Sequence, residues 1–461
     1  MTSPPGDARG PSRPGLRELL TLAWPVVLSR STQSVVGLCD ALMSARLGDQ
    51  ALAAVTTGAI NLFSIAVLPM GTVFIVQSFA AQLQGRGDLV AARRYAWYAL
   101  ALAAITTVLA AAGTPFFGAW LSVFRFAPGV HDDMTGYLQW RFWSVGPYIA
   151  VEALGNWFAG LGNTRVHMRA SVITMVSNVA LNWVLIFGHL GAPAMGVRGA
   201  ALASGLATVA GLAWIGMAFA RRHREMGADG PLALRVSEFL RLLRFGVPNG
   251  LNWFMEIAAF TLFLNAVVSR LGTTVLAAMN AILQINSISF MPAFGLASAG
   301  AVLVGQAIGR GEKEDVPRLL GLTARVALVW QGGVGLAYFL MPQLIMRAFA
   351  SEAGSAELIT VGASMLALSA AWQLFDALGL TIGEALRAAG DTAWCMWARL
   401  LSAWTVFVPV AWWAVTLRHG GPMAAIGVTI FYLAVLACAF LWRFRSGAWR
   451  RIELVEVEPQ A

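Results

Sequence analysis

From Leu16 to Leu441 the chain alternates long apolar runs with short polar breaks. Each run reaches the roughly 20 residues a helix needs to cross about 30 Å of hydrocarbon. The pattern predicts twelve membrane-spanning helices, at 16–45, 52–83, 95–121, 134–161, 168–188, 197–220, 243–269, 275–307, 320–349, 357–386, 393–417 and 422–442. Lys and Arg are retained on the cytoplasmic side of a membrane. Most of the 32 basic residues fall on one side if both termini are cytoplasmic. The loop between helices six and seven alone carries Arg221, Arg222, Arg224, Arg235, Arg241 and Arg244, while the opposite turns mostly hold one Arg each. The expected location is the plasma (inner) membrane.

Composition agrees with this pattern. Of 461 residues, 58% are hydrophobic and 12% charged, too apolar for a normal aqueous surface. The formal charge of +9 is then a topology signal and a means of contact with anionic lipid heads, with no nucleic-acid partner expected. Residues 1–15 are Pro/Gly-rich and polar, as in a disordered cytoplasmic tail, and no cleaved signal is evident because the next run contains Pro25 and Arg30 and continues to spanning length. Cys39, Cys395 and Cys438 lie in predicted helices as small packing residues, and no disulfide is expected.

The sequence is written twice. "LGDQALAAV" from Leu47 answers "LGTTVLAAM" from Leu271 at a shift of 224, and Gln82, Gly85, Arg86 and Gly87 meet Gln306, Gly309, Arg310 and Gly311 at the same shift. "GLGNT", ending at Thr164, meets "RAAGDT", ending at Thr392, at a shift of 228. Six helices per half keep both halves in one orientation, related about an axis along the membrane normal. Two such bundles suit alternating access about a shared cavity. The expected units are a first lobe at 16–220, a cytoplasmic connector at 221–242, a second lobe at 243–446 and a tail at 447–461.

"AWPVVL" opening helix one, Asp40 before "LG...LAAV", "GLGNT...SNVALNWVLIFG", "FGVP" opening helix seven, "VGQAIGRGE" and "LRAAGDT" follow one another in order. Over nearly its whole length the chain thereby resembles the multidrug and toxic compound extrusion (MATE) family. The resemblance implies an all-α integral membrane protein of twelve helices in two pseudo-symmetric lobes. It also implies a transporter embedded in the lipid bilayer that exports bulky, often cationic amphiphilic small molecules in exchange for sodium or protons; no cofactor is expected, and the expected functional unit is a monomer.

A charge at bilayer depth costs at least about 2.5 to 3.5 kcal/mol, so each needs a partner or a purpose. The candidates are Arg30, Asp40, Arg141, Glu152, Glu256, Asp376 and Glu384. Asn178 and Asn182, one helical turn apart, project from one face of helix five. With Asp40 they supply a carboxylate and two amide oxygens, donors for sodium, while the carboxylate alone suits a proton. The family's use of an acid on helix one and polar groups on helix five implies an ion or proton site at these three residues. Some members carry an acid where this chain has Asn182, which leaves the coupling ion open. In the second half Glu256 and Asp376 match acids of the NorM-type branch, as a cation-binding pair. Glu152 and Glu384 lie nearer the cytoplasmic ends of helices four and ten, where salt bridges are expected, with Arg30 and Arg141 as unassigned partners. Trp253, Phe254 and Trp372 flank the acids and are candidate substrate contacts.

Other classes fit less well. Lys313 follows Glu312 rather than Gly, so no Walker A motif can be written. Asp132 and Asp133 form one acidic pair without the second acid-rich motif of a prenyl-transfer enzyme, and the five histidines all fall in predicted loops without metal-ligand spacing. An enzyme is not expected. A lipid or polysaccharide-precursor flippase of related fold is the alternative. It calls for a basic cavity, whereas the intramembrane candidates are five acids to two arginines. A major-facilitator transporter also has two six-helix halves, but the duplicated "GRGD" and "GRGE" and the position of Asp40 favour MATE.

Overall fold

The computed structural model describes residues 14–122, 127–225, 233–349 and 356–456, so most of the first tail, part of the connector and residues 457–461 lie outside the described residues. Among the described residues there are helices and turns and no strand. In chain order the long helices are α1 (Leu16–Ala45), α2 (Asp49–Arg86), α3 (Leu89–Gly113), α4 (128–160), α5 (Thr164–Phe187), α6 (Gly196–Glu225), α7 (Val236–Leu271), α8 (Thr273–Gly309), α9 (Val316–Leu340), α10 (Ala356–Ala388), α11 (Thr392–Leu417) and α12 (Pro422–Arg445).

Ten helices among the described residues are long and apolar enough to cross a membrane. The remaining two of the twelve, α1 and α4, have a reason to read as more polar. In α1, Ser29 to Ser34 interrupt the apolar run, and several of those side chains turn inward. In α4, Arg141, Ser144, Glu152 and Asn156 break the apolar run, and Pro128–Arg141 and Val145–Gly160 are joined by a tighter turn at Phe142–Ser144.

Some boundaries differ from the hydropathy pattern. The third run ends at Gly113, where Thr114–Phe116 turns into the short helix Phe117–Leu121. The ninth ends at Leu340, because Pro342 starts a separate helix, Pro342–Phe349. Helix α7 begins at Val236, which draws Glu238 and Arg241 out of the expected connector and onto a helix.

Two apolar cores form. One unites α2 to α6 around Phe79, Tyr137 and Trp157, and the other unites the later part of α7 with α8 to α12 around Phe263, Phe407 and Tyr432. Helices α1 and α7 serve both: α1 packs on α5 and α8, α7 on α11 and α2. Leu19 and Leu22 of α1 accordingly sit in the second core, and Leu242 of α7 in the first.

The duplicated motif becomes a reciprocal contact at the end of the molecule nearest both termini. A Cβ on Gly85 would lie 2.2 Å from the carbonyl oxygen of Gln306, and one on Gly309 would lie 2.0 Å from that of Gln82. Gln82 Nε2 donates to the Ala388 carbonyl (2.8 Å), and Gln306 Nε2 to the Gly160 carbonyl (3.2 Å). These acceptors are themselves equivalent at the shift of 228 noted above. Gln77 adds bonds to Ser298, and Asn249 to the Gly71 carbonyl. Every described hydrogen bond between the two halves lies in this same half of the molecule.

The segment expected as a cytoplasmic tail is folded as far as Glu456. Trp449 stacks on Phe444, while Leu454 and Val455 enter the core of the first half. Arg86 donates to the carbonyls of Val455 and Glu456, Arg241 to those of Glu453 and Leu454, and Lys313 to that of Arg450. A strap thus runs from the end of α12 across to the first half.

Gly309→Ala is expected to force the Gln82 backbone away, destabilising the protein by about 1–3 kcal/mol as overpacking does. The same substitution at Gly321, where a Cβ meets nothing within 4 Å, should be near neutral. Thermal unfolding of the purified chain in detergent measures both.

Candidate functional site

Asp40, in the half of α1 away from the termini, meets α5 and α6. Asn182 Nδ2 donates to Asp40 Oδ1 (2.5 Å) and to Asn178 Oδ1 (3.1 Å). Ser204 Oγ donates to Asp40 Oδ2 (3.2 Å) and accepts from Asn178 Nδ2 (2.9 Å). Asn178, Asn182 and Ser204 are all buried. Asn182 Oδ1 has no hydrogen-bond partner among the described residues. The cluster therefore presents a carboxylate and neutral oxygens with one amide oxygen unused, a donor set that fits a hard monovalent cation or a proton. Arg141, bonded to Ser144 (2.8 Å), supplies the positive charge that acts on Asp40.

Nearer the termini, Arg30 pairs with Glu152 across α1 and α4 (3.2 Å), and Gln33 Nε2 donates to the same carboxylate (3.1 Å). His167 Nε2 stands 3.8 Å from it. His167 is not in a loop as the apolar run starting at 168 implied: α5 begins at Thr164, and the ring is buried. His131 and His223 likewise lie on α4 and α6.

Between the halves lies a cavity of about 300 Å³ whose wall includes Arg30, Gln33, Glu256, Asp376, Glu384, Arg387 and Arg399. Glu256 forms a salt bridge with Arg399, and Glu384 with Arg387. Arg387 also donates to Ser78 Oγ (3.1 Å) and Gln77 Oε1 (3.2 Å) in the other half and lies over the Phe74 ring at 4.3 Å. Asp376 has no cation within salt-bridge distance among the described residues. It accepts from Gln331 Nε2 (3.0 Å), whose Oε1 accepts from Ser289 (2.6 Å).

Aromatic residues complete the wall. Trp253 meets the rings of Phe74 (5.0 Å) and Phe294 (6.3 Å). Phe254 is not in this cavity and lines a separate lateral groove with Thr261 and Asn265. Trp372 is buried in the second core and does not line the cavity. A larger groove of about 660 Å³ between α2, α3, α4 and α7 is almost wholly apolar and bears no charged side chain.

A family model for MatE matches residues 25–184 and 254–413, one match in each half and together well over half of the chain. The chain belongs to the MatE family. It is 30% identical to a probable multidrug resistance protein NorM of Rhizobium meliloti, covering 96% of this chain and 95% of that one. It is 28% identical to the corresponding protein of Thermotoga maritima, covering 94% and 93%. It superposes with a TM-score of 0.83 on a structure solved as the outward-facing conformation of a multidrug resistance MATE family transporter, at 19% identity and covering 95% and 97%. The MatE assignment makes this a multi-pass membrane transporter.

Within this MatE fold, three further residues reach the sites that the sequence reading above does not include. Ser204 sits in "ALASGLATVA", where a lone hydroxyl among small residues looks like helix packing. Arg399 lies inside the expected span 393–417, so its charge at membrane depth was a usable signal. Arg387 falls one residue beyond the expected span 357–386. With these two, the charge balance of five acids to two arginines no longer describes the cavity: three arginines and three acids line it. Glu256→Gln is expected to leave Arg399 unbalanced and cost about 1–3 kcal/mol of stability. Glu256→Gln combined with Arg399→Gln should recover much of that loss. A double-mutant cycle on thermal unfolding measures the coupling.

Proposed function

We propose that this chain is an inner-membrane multidrug efflux antiporter, acting as a monomer with both termini cytoplasmic. It exports bulky amphiphilic, often cationic compounds in exchange for sodium or protons by alternating access. The observation that carries the reading is Asp376: a carboxylate without a basic partner, on the wall of a cavity between two halves, beside aromatic rings. Arg30, Arg387 and Arg399 are each matched by an acid, Glu152, Glu384 and Glu256. The surplus charge is then negative, which suits a cation and disfavours the pyrophosphate-linked substrate of a flippase. The names of the NorM relatives support export of drugs.

Asp40, Asn178, Asn182 and Ser204 form the coupling site in this reading. One carboxylate there is neutralised by one sodium ion or one proton. Lobe-to-lobe bonding confined to the terminal half is the arrangement of a cavity closed towards the cytoplasm, and ion loading shifts the balance between states only through a difference in affinity. In proteoliposomes, efflux of tetraphenylphosphonium under an imposed sodium gradient or proton gradient, applied separately, tests the reading. One gradient should drive transport, and Asp40→Asn should lower the driven rate at least about tenfold while thermal unfolding stays near the parent's. Equal transport with and without either gradient would refute antiport.

Asp376→Asn is expected to weaken binding of tetraphenylphosphonium about tenfold, the order of one lost charge contact, and to leave an uncharged amphiphile of similar size nearly unaffected. Equilibrium binding to the purified variant distinguishes the two.

A further inference from the structure

We propose that His167 is a second proton-binding site of the first half, and that its charge is felt at the cavity wall through Glu152 and Arg30. Three observations carry this. His167 is buried, with 6% of its surface exposed, and its Nε2 has no hydrogen-bond partner among the described residues. Glu152 Oε1 stands 3.8 Å away, beyond a hydrogen bond but within reach of an ion pair. The position is also built for the ring: a Cβ on Gly155 of α4, three residues from Glu152, would lie 2.5 Å from His167 Cδ2 and Cγ. Any larger residue there would displace the imidazole.

The charges that act on His167 are Glu152 on α4 and Arg30 on α1. One acid therefore serves two basic groups. With the imidazole neutral, Glu152 and Arg30 balance. With a proton on Nε2 the cluster holds two positive charges and one negative, and the surplus sits beside Arg30 and Gln33, which line the cavity. Arg30 lies 5.5 Å from the ring centre of Phe294, so that surplus faces the same aromatic wall that a cationic substrate would use. Proton and cation should then oppose one another, and by linkage each lowers the affinity for the other by the same factor. This site is separate from Asp40: fifteen residues along α5 from Asn182 to His167 span about 22 Å. Its effect on cations rests on the export reading above, whereas protonation of His167 does not.

Two measurements on the full chain in detergent test the two parts. With ¹⁵N-labelled histidine, the imidazole resonance absent from His167→Gln is followed between about pH 5 and about pH 9. It is expected to titrate, to move its midpoint in Glu152→Gln, and to change in Gly155→Ala; a resonance that stays neutral throughout overturns the site. Binding of tetraphenylphosphonium is then compared between about pH 6 and about pH 8.5. The parent should lose at least about fivefold more affinity at the lower pH than His167→Gln does. An equal loss in both overturns the link to the cavity. No binding to the parent at either pH overturns that link together with the export reading, while the resonance alone decides the proton site.

Discussion

Everything in the arrangement depends on the crossing of α2 and α8 near the termini, where each helix sets a glycine against the backbone of the other. The contact needs Gly85 and Gly309 because any side chain would enter the opposite carbonyl. Two helices at that distance leave no room for water, so the amides of Gln82 and Gln306 turn to carbonyls across the interface. Gln77 and Arg387 then extend the bonded region inward as far as the cavity floor. The cavity lies between the halves where this bonded closure ends.

The charges are of two kinds. One kind is matched in pairs: Arg387 with Glu384, Arg399 with Glu256, Arg30 with Glu152. Removing both charges of such a pair costs little, while removing one leaves the other stranded in low dielectric. Asp376 and Asp40 are held instead by amides and a hydroxyl, from Gln331 on one side and Asn182 and Ser204 on the other. Neutral donors steady a carboxylate without cancelling its charge.

The fold was legible because membrane insertion imposes a coarse, length-based pattern, and the duplication was legible because both copies keep the glycines of the crossing. Asp40, Asn178 and Asn182 could be grouped because rarity marks the acid and helical spacing marks the amides. Chain proximity served less well for the aromatics. At about 100° per residue, Phe254 lies on the far side of α7 from Glu256, whereas Trp253 shares its face. Trp372 shares a face with Asp376, yet it is taken into the second core by neighbours that no local pattern reveals. His167 was lost at a boundary: the first turn of α5 is polar, so hydropathy begins the helix four residues late.

The strap after α12 ties the beginning of the molecule to its end. Leu454 and Val455 fill the core of the first half, yet they are made only after the residues of all twelve helices have been synthesised. The first half must therefore wait in the membrane with its face towards the termini unfinished and Arg86 unanswered. Its closing contacts have the greatest sequence separation among the described hydrogen bonds, which places them among the slowest to form. Quality control in the cell would then see this protein as immature until its last described turn is made, and damage to that turn would read out as a defect in the half that was synthesised first.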